Sequence, residues 1–391
     1  MFPFSWRYIF CHAEVFQQHI PYFLSVFNSV RIHSEYALHD RKVRYAVSHD
    51  DLMFFRRSSV FKKWFFPVLL AGSVCLGMTA VQAGESGFPP SENGLSARQL
   101  TVQAESGDAD ARFALGTLYY YGKGVLRDYQ KAAYWYRKAA DQGNALAQYA
   151  LGAMYGYGEG IGQDYGKAVH WFRKAAEQGN ADAQQALGIM YDWGKGVSPS
   201  HEKAVYWYRK AAEQGNARGE YNLGMMYMKG EGVSRDARKA SDLFRRAAEH
   251  GLAEAQYGLG SMFFSGDGVA QNKKEAAYWY GKAAAQGNAL AQNALAIMYM
   301  KGDGVSRDDR KAFDLFREAA RKRIPEAQAN LALLYARGQG TEKNYLYACV
   351  LANHAAMSLE GIGKWRNELE KVMTKDELVR ARSMTVDDVL K

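Results

Sequence analysis

A serine and a lysine are spaced so that they could carry out acyl transfer. Ser200 and Lys203 form a Ser-x-x-Lys motif, in which the lysine amine could activate a hydroxyl one helical turn away as a nucleophile. The Lys-Thr-Gly and Ser-Asp-Asn motifs that accompany such a pair in enzymes do not occur in the chain. In four comparable places an aspartate replaces the serine: Asp128 before Lys131, Asp164 before Lys167, Asp236 before Lys239 and Asp308 before Lys311. We therefore interpret the serine as a helix cap and predict that the protein is not an enzyme.

Seven Gly-x-Gly loops are the second feature that could do chemistry, because glycine-rich loops cradle phosphates. A phosphate-binding loop follows a β-strand, whereas helical patterns flank these loops on both sides. The loops are Gly122/Gly124, Gly158/Gly160, Gly194/Gly196, Gly230/Gly232, Gly266/Gly268, Gly302/Gly304 and Gly338/Gly340. The histidines in this part of the chain occur singly: His170, His201, His250 and His354. The sequence therefore predicts no cofactor and no metal site.

The elements that position these residues follow from a 36-residue period. Glycines recur at this spacing, at Gly107, Gly143, Gly179, Gly215, Gly251 and Gly287. The Gly-x-Gly loops keep the same step, so seven repeats extend from 108 to 358 without an insertion. Because one repeat cannot bury its own apolar face, the repeats are expected to stack into a solenoid.

Each repeat has the pattern of two helices. In the first, over 109–121, Ala111, Leu115 and Leu118 share one face. Gly116 and its equivalents are always Gly or Ala, and a mid-helix Gly costs about 1 kcal/mol relative to Ala, so a close helix crossing is expected there. The second helix begins at a short polar residue that can cap a backbone N–H. These caps are Asp128, Asp164, Ser200, Asp236, Asn272, Asp308 and Asn344.

The repeat resembles the Sel-one-like repeat. That pattern reads Ala-x-Ala-Gln-x-x-Leu-Gly-x-Met-Tyr, then Gly-x-Gly-Val, then Asp-x-x-Lys-Ala-x-x-Trp-Tyr-Arg-Lys-Ala-Ala-Glu-Gln-Gly, and residues 145–179 follow it closely. The resemblance implies an all-α fold, a right-handed α/α superhelical solenoid of the tetratricopeptide type that serves as an adaptor. The departures are Leu243, Leu315 and Leu351 in place of Trp, and Arg323 and Ile324 in place of the terminal Gly and the following cap.

Helices are expected to cap both ends of the seven repeats. Residues 96–107 form a half-repeat that begins with a capping-box pattern, and Thr374 begins another within 359–391. A helical stripe ahead of it is expected to close the last repeat, and it consists of Trp365, Leu369 and Val372. Residues 84–95, which contain three glycines and two prolines, are expected to be a flexible lead-in.

Residues 53–83 have the three parts of an export signal. Basic residues after Met53 precede an apolar run of 15 residues, 64–78, and small residues stand before Gly84 where a signal peptidase cleaves. The run is shorter than the ~20 residues that span a bilayer as a helix, although an uncleaved anchor is the alternative. Residues 1–52 hold five of the nine histidines and no repeat, and we interpret them as an over-extended gene start or a disordered extension.

Composition and charge narrow the class of protein. The 391 residues are 48% hydrophobic and 23% charged, which is typical of a folded chain and excludes a disordered or mainly membrane-embedded one. The net charge of +9 becomes +5 without residues 1–83, so it does not indicate nucleic-acid binding. Three cysteines exclude a disulfide scaffold, and only Cys349 follows residue 83. We predict a monomeric bacterial protein, periplasmic or secreted, that meets a membrane only through its signal segment.

Positions that vary between repeats are the candidates for binding, because recurrent positions form the core. On the first helix, residues 113, 117, 120 and 121 share a face opposite the core face, and the resemblance implies that first helices line the concave surface. Tyr and Trp on such a surface offer large contact area with little entropy to lose. The predicted partner-binding residues are Phe113, Tyr120, Tyr121, Tyr149, Tyr157, Trp193, Tyr221, Tyr257 and Phe264. The alternative is that these rings pack between adjacent first helices.

We therefore expect an exported adaptor that binds an envelope protein in its concave groove. The alternatives are a secreted host-interaction factor, a β-lactamase-like or penicillin-binding protein, and a peptidoglycan-binding protein. The enzyme-like relatives carry paired cysteines in their repeats, which this chain lacks. A basic stripe on the second helices is interpreted as a solvated face, and it consists of Lys131, Arg137, Lys138, Lys167, Arg173, Lys174, Lys203, Arg209, Lys210, Lys239 and Arg246.

Overall fold

The computed structural model describes residues 97–391, which fold into eighteen α-helices with no strand among them. The predicted extension 1–52, signal 53–83 and lead-in 84–95, together with Ser96, lie outside the described residues. The helices are α1 Ala97–Ser106, α2 Ala109–Tyr121, α3 Tyr129–Asp141, α4 Ala145–Tyr157, α5 Tyr165–Glu177, α6 Ala181–Trp193, α7 His201–Glu213, α8 Ala217–Lys229, α9 Ala237–Glu249, α10 Ala253–Ser265, α11 Lys273–Ala285, α12 Ala289–Lys301, α13 Asp309–Arg321, α14 Pro325–Arg337, α15 Tyr345–Ala355, α16 Ile362–Lys371, α17 Lys375–Ser383 and α18 Val386–Val389.

The helix boundaries follow from caps in the sequence. Asn144 accepts a hydrogen bond from the backbone N–H of Ala147 at 2.8 Å and so begins α4, and Gly158 ends that helix in the left-handed conformation. Asp164 begins α5 by accepting from the N–H of Lys167 at 2.9 Å. All seven predicted caps of the second helices are confirmed.

A buried ring from each of the first six second helices fills the space between the two helices of its repeat. These rings are Tyr136, Phe172, Tyr208, Phe244, Tyr280 and Phe316. The mid-helix glycines make room for them, since a Cβ on Gly152 would lie 2.7 Å from the ring of Phe172. The close crossing predicted from the recurrent Gly is confirmed, and it explains why no larger residue than Ala stands there.

Successive repeats stack through backbone and amide contacts. Each first helix packs against the second helix of its own repeat and against that of the repeat before it. Gln148 of repeat two donates to the carbonyl of Ala140 in repeat one at 3.1 Å, and it accepts from Gln178 of its own repeat at 2.7 Å. The loop glycine Gly160 lies against the backbone of Tyr129, where a Cβ would approach the carbonyl to 2.5 Å. The result is a continuous α-solenoid of seven repeats.

The ends of the solenoid are covered by extra helices. Helix α1 packs on α2 and buries Leu100 and Ala104. At the other end the capping box of Thr374 and Glu377 is confirmed. The expectation that Val372 helps to close the last repeat is wrong, because α16 ends at Lys371 and leaves that side chain 60% exposed. The residues of this region that are buried against repeat seven are Leu369, Met373, Ala381, Val389 and Leu390.

The junction of repeats six and seven departs from the other junctions, because the glycine that follows the second helix is missing there. Arg323 takes the position of that glycine with φ +62°, and among residues 97–391 it is the one non-glycine residue in the left-handed region. Ile324 follows without a capping side chain, and Pro325 takes the first helical position, where its missing N–H leaves no hydrogen bond unmade. The fold is kept at the expense of backbone strain at this one residue. Within residues 97–391, no helix is both long enough and apolar enough to cross a lipid bilayer.

Candidate functional site: the first-helix face of the solenoid

The candidate site is the face formed by the first helices. Helices α6 and α8, the first helices of repeats three and four, contact each other. The first helices of these two neighbouring repeats therefore approach one another. The nine predicted binding residues all lie on these helices, from α2 to α10.

Four of the nine aromatic residues contact the core rather than stand free of it. Their rings lie 5.3–5.8 Å from the buried ring of the same repeat, in the pairs Phe113–Tyr136, Tyr149–Phe172, Tyr221–Phe244 and Tyr257–Tyr280. Tyr149 is only 4% exposed, so the expectation of an exposed ring is wrong at this position. Burial raises the pKa of Tyr149 well above its usual value. In each of the four pairs the partner ring belongs to the second helix of the same repeat.

The aromatic residues at the carboxyl ends of the first helices are only partly buried. Tyr120 and Tyr121 meet edge to face at 5.1 Å, and Tyr120 donates to the carboxylate of Glu159 in the next repeat at 2.6 Å. Burial and this carboxylate raise the pKa of Tyr120. Tyr157 and Trp193 follow in repeats two and three, both half-buried against the core. Tyr120, Tyr121, Tyr157 and Trp193 thus lie at the carboxyl ends of three successive first helices, and we call these four residues the aromatic edge.

Charged residues lie at the amino ends of the first helices in repeats three to five. Asp182 accepts from the side chain of Asn216 at 2.9 Å, and burial raises the pKa of its carboxyl. Burial lowers the pKa of the Arg218 guanidinium, and Glu254 in the next repeat opposes that shift. One end of this face is therefore aromatic over repeats one to three, and the other end carries alternating charges.

Comparison with known families agrees with this geometry. The Sel1 repeat matches seven consecutive segments, 109–144, 145–180, 181–216, 217–252, 253–288, 289–323 and 325–358. The chain belongs to the Sel1 repeat family. No curated protein is similar enough to this Sel1 repeat chain to count as a match.

Two solved structures that are similar to this Sel1 repeat protein come from bacteria. The Sel1 repeat protein of Oxalobacter formigenes is 33% identical, with a TM-score of 0.56, over 62% of this chain and 96% of its own. The protein c5321, described as a protective antigen of uropathogenic Escherichia coli strains with an SLR fold, is 26% identical, with a TM-score of 0.40. That match covers 76% of this chain and 95% of the other.

Four lysines of the basic stripe, and Lys311 in the same register, contact aromatic rings within the Sel1 solenoid. Five lysines lie over the ring at the end of the first helix of their own repeat, 5.3–5.5 Å from its centre: Lys131 over Tyr119, Lys167 over Tyr155, Lys203 over Tyr191, Lys239 over Tyr227 and Lys311 over Tyr299. Four of them also pair with the Asp cap of their helix at 3.2–3.6 Å. These lysines therefore hold the repeat together, in agreement with the interpretation as a structural, solvated face.

The Ser-x-x-Lys motif is a helix cap. Ser200 accepts from the backbone N–H of Lys203 at 3.3 Å and donates to Glu202 at 2.9 Å. The ammonium of Lys203 lies 5.3 Å from the ring centre of Tyr191 instead of beside the serine hydroxyl. The two side chains thus have the roles that the other repeats give to Asp and Lys.

A second row of aromatic residues was missed by the sequence reasoning. Tyr134, Tyr206 and Tyr278 lie on second helices, and each is about half exposed. Each ring meets the following Trp edge to face at 5.0–5.2 Å. The signal that could have revealed them is their position just before the Trp, which is turned away from the core stripe.

Proposed function

We propose that this Sel1 solenoid is an exported scaffold that binds a protein partner on its first-helix face. Sel1 and tetratricopeptide-like solenoids generally serve as protein–protein interaction scaffolds. The observation that carries the proposal is the ordered aromatic edge formed by Tyr120, Tyr121, Tyr157 and Trp193. These rings are held by neighbouring rings and the core, so a partner would gain their contact area without ordering them first.

The arrangement suits a peptide or a helix of another protein. The first helices form a preformed surface that repeats every 36 residues, so an extended partner would meet aromatic residues in successive repeats. Asp182, Arg218 and Glu254, at the amino ends of α6, α8 and α10, would select its orientation through charge. Aromatic anchors would supply the affinity, and the charged border would supply the specificity.

Export is the second part of the proposal, and it is supported by residues 53–83. The basic start, the short apolar run and the small residues before Gly84 are the features that an export machinery recognises. Mass spectrometry of the protein recovered from the envelope or the medium of the source bacterium is expected to find an N-terminus near Gly84. A chain that keeps Met1 and remains in the cytoplasm would refute export without bearing on the binding face.

Site-specific crosslinking tests the binding face. A photoreactive phenylalanine analogue is placed at Tyr121 or Tyr157 on the first helices, and at Tyr134 or Tyr206 on the second helices as matched controls, in the full chain expressed in its source. We expect one covalent partner from the first two positions and none from the other two. The identity of that partner would distinguish an envelope protein from a host protein.

Two outcomes would overturn the proposed face. Crosslinks from Tyr134 and Tyr206 alone would assign binding to the second helices. No protein crosslink from any position, together with saturable binding to purified peptidoglycan sacculi at high salt, would replace the protein partner with a glycan.

A further inference from the structure

Three potential metal ligands meet where repeat three contacts the loop of repeat four. Asp192 lies in the last turn of α6, His201 is the first residue of α7, and Glu231 lies in the loop after α8. Nδ1 of His201 is 2.9 Å from Oδ1 of Asp192. One ligand atom from each residue lies within 4.8 Å of the other two, and among residues 97–391 this is the one such group that includes three His, Cys, Asp or Glu side chains.

This group departs from the repeat at two of its three positions. In the register of Asp192 the other repeats have Tyr120, Gly156, Met228, Phe264, Met300 and Ala336. In the register of His201 they have Tyr129, Tyr165, Ala237, Lys273, Asp309 and Tyr345. Repeat three alone therefore combines a carboxylate and an imidazole here, facing a loop that supplies a second carboxylate.

At two equivalent junctions between repeats, the same positions make a different kind of polar contact. Tyr120 donates to Glu159 at 2.6 Å between repeats one and two, and Lys273 pairs with Asp303 at 2.7 Å between repeats five and six. Each is a single polar contact from one repeat to the loop of the next. At the third junction two carboxylates approach each other instead, Asp192 being only 20% exposed and paired with His201 while Glu231 pairs with Lys229. A cation between them would relieve the repulsion.

We propose that Asp192, His201 and Glu231 bind a zinc ion. Zinc accepts imidazole nitrogen and carboxylate oxygen at about 2.0–2.2 Å, so tetrahedral ligands lie about 3.4 Å apart. The separations of 2.9–4.8 Å in the group bracket that value and require only side-chain rotation. The imidazole favours zinc over Ca²⁺ and Mg²⁺, which take oxygen ligands, and water would complete the fourth position.

Binding would require one ion pair to be exchanged. Lys229 now pairs with Glu231 at 3.2 Å, and its ammonium would have to turn away into solvent, where a third of the side chain already lies. A surface pair of this kind contributes little, so its loss opposes zinc only weakly. The bound ion would join repeat three to the loop of repeat four, and this role is independent of the proposed partner-binding face.

The test compares zinc binding by the full chain and two variants that lose a ligand. His201→Tyr places the residue of repeats one and two at this position, and Asp192→Asn keeps the size of the side chain. The matched control is His170→Tyr, an exposed histidine of α5 that also changes to the residue found in its register at Tyr134 and Tyr206. Each protein is stripped with EDTA, titrated with ZnCl₂ by calorimetry and melted with and without zinc.

We expect the wild type and His170→Tyr to bind one equivalent of zinc more than either ligand variant. We also expect that zinc raises the melting temperature of those two proteins and not that of His201→Tyr, because an ion bound only to the folded state stabilises it. The difference in zinc stoichiometry between the proteins is the decisive quantity, because any zinc bound by the histidines of residues 1–52 is the same in all of them. Retention of the equivalent in either ligand variant, or its absence from the wild type, would overturn the zinc site.

Discussion

The carboxylate of Glu220 is completely buried in repeat four, and one of its oxygens lies 2.6 Å from Nη2 of Arg246. Nδ1 of His250 lies 3.1 Å from the other oxygen. Repeats two and three have neutral amides in the same places, where Gln178 donates to Gln148 and Gln214 donates to Gln184, each at 2.7 Å. Repeat four thus has a buried ion pair between its two helices where repeats two and three have hydrogen-bonded glutamines.

Removal of Arg246 is expected to destabilise repeat four because the buried carboxylate of Glu220 would lose its arginine partner. Arg246→Ala should lower the free energy of unfolding, measured by urea denaturation, by about 2 kcal/mol, below the usual 3–5 because half of the arginine side chain is in water. Adding Glu220→Gln should recover most of that loss, since Gln occupies this register in five of the other six repeats. If the double variant is no more stable than Arg246→Ala, the buried charge is not the cause.

Trp171 is a core residue, since its side chain is only 5% exposed and belongs to a cluster of buried residues. Trp171→Ala should lower the free energy of unfolding by about 4 kcal/mol, as for other buried aromatic residues. Trp171→Leu introduces the residue that occupies this register at Leu243, Leu315 and Leu351, and it should cost less than half as much. Equal losses for Ala and Leu in thermal and urea melts would contradict a packing role.

The acid side of the stability curve should depend on four aspartate caps: Asp128, Asp164, Asp236 and Asp308. Backbone N–H groups hold the pKa of each carboxyl below its usual value. Their stabilisation is therefore complete above the unfolded pKa of about 3.9 and is lost as the pH falls through the lower folded value.

A variant with all four aspartates changed to Asn tests this dependence. Asn caps the equivalent helices at Asn272 and Asn344, so the fold should persist. We expect the difference in melting temperature between wild type and variant to be constant from pH 5 to pH 7. Below pH 4 the melting temperature of the wild type should fall more than that of the variant, because only the wild type has caps that become protonated. Parallel curves down to pH 2.5 would show that the caps do not titrate with folding.

Arg323 should be a site where glycine stabilises the protein. Its φ of +62° is unfavourable for a side chain that carries a Cβ, by about 1–2 kcal/mol, and glycine removes that strain at a smaller entropic cost. The ion pair of Arg323 with Asp387, 3.6 Å apart and exposed at both ends, offsets little of this. Arg323→Gly should raise the free energy of unfolding by about 0.5–1 kcal/mol, and an unchanged or lower value would contradict the strain.

The repeat and its helices could be predicted from the amino-acid sequence because they depend on local chemistry. The cap of α5 needs only Asp164 and its own next turn, and the end of α4 needs only a glycine at Gly158. The close crossing at Gly152 was also predictable, since the position recurs every 36 residues and each recurrence is an independent example of the same contact. Periodicity gave information that a single copy of the repeat would not hold.

Which side chains meet across repeats was decided only by the tertiary structure. Tyr149 and Tyr121 occupy the same helix face in sequence, yet the former is buried against Phe172 and the latter forms part of the aromatic edge. His201 stands alone in the sequence; the packing of the two helices of repeat three brings Asp192 to it, and the stacking of repeat four brings Glu231. Such contacts depend on how adjacent repeats rotate and approach, and that geometry is set by the sum of the packing interactions rather than by any local pattern.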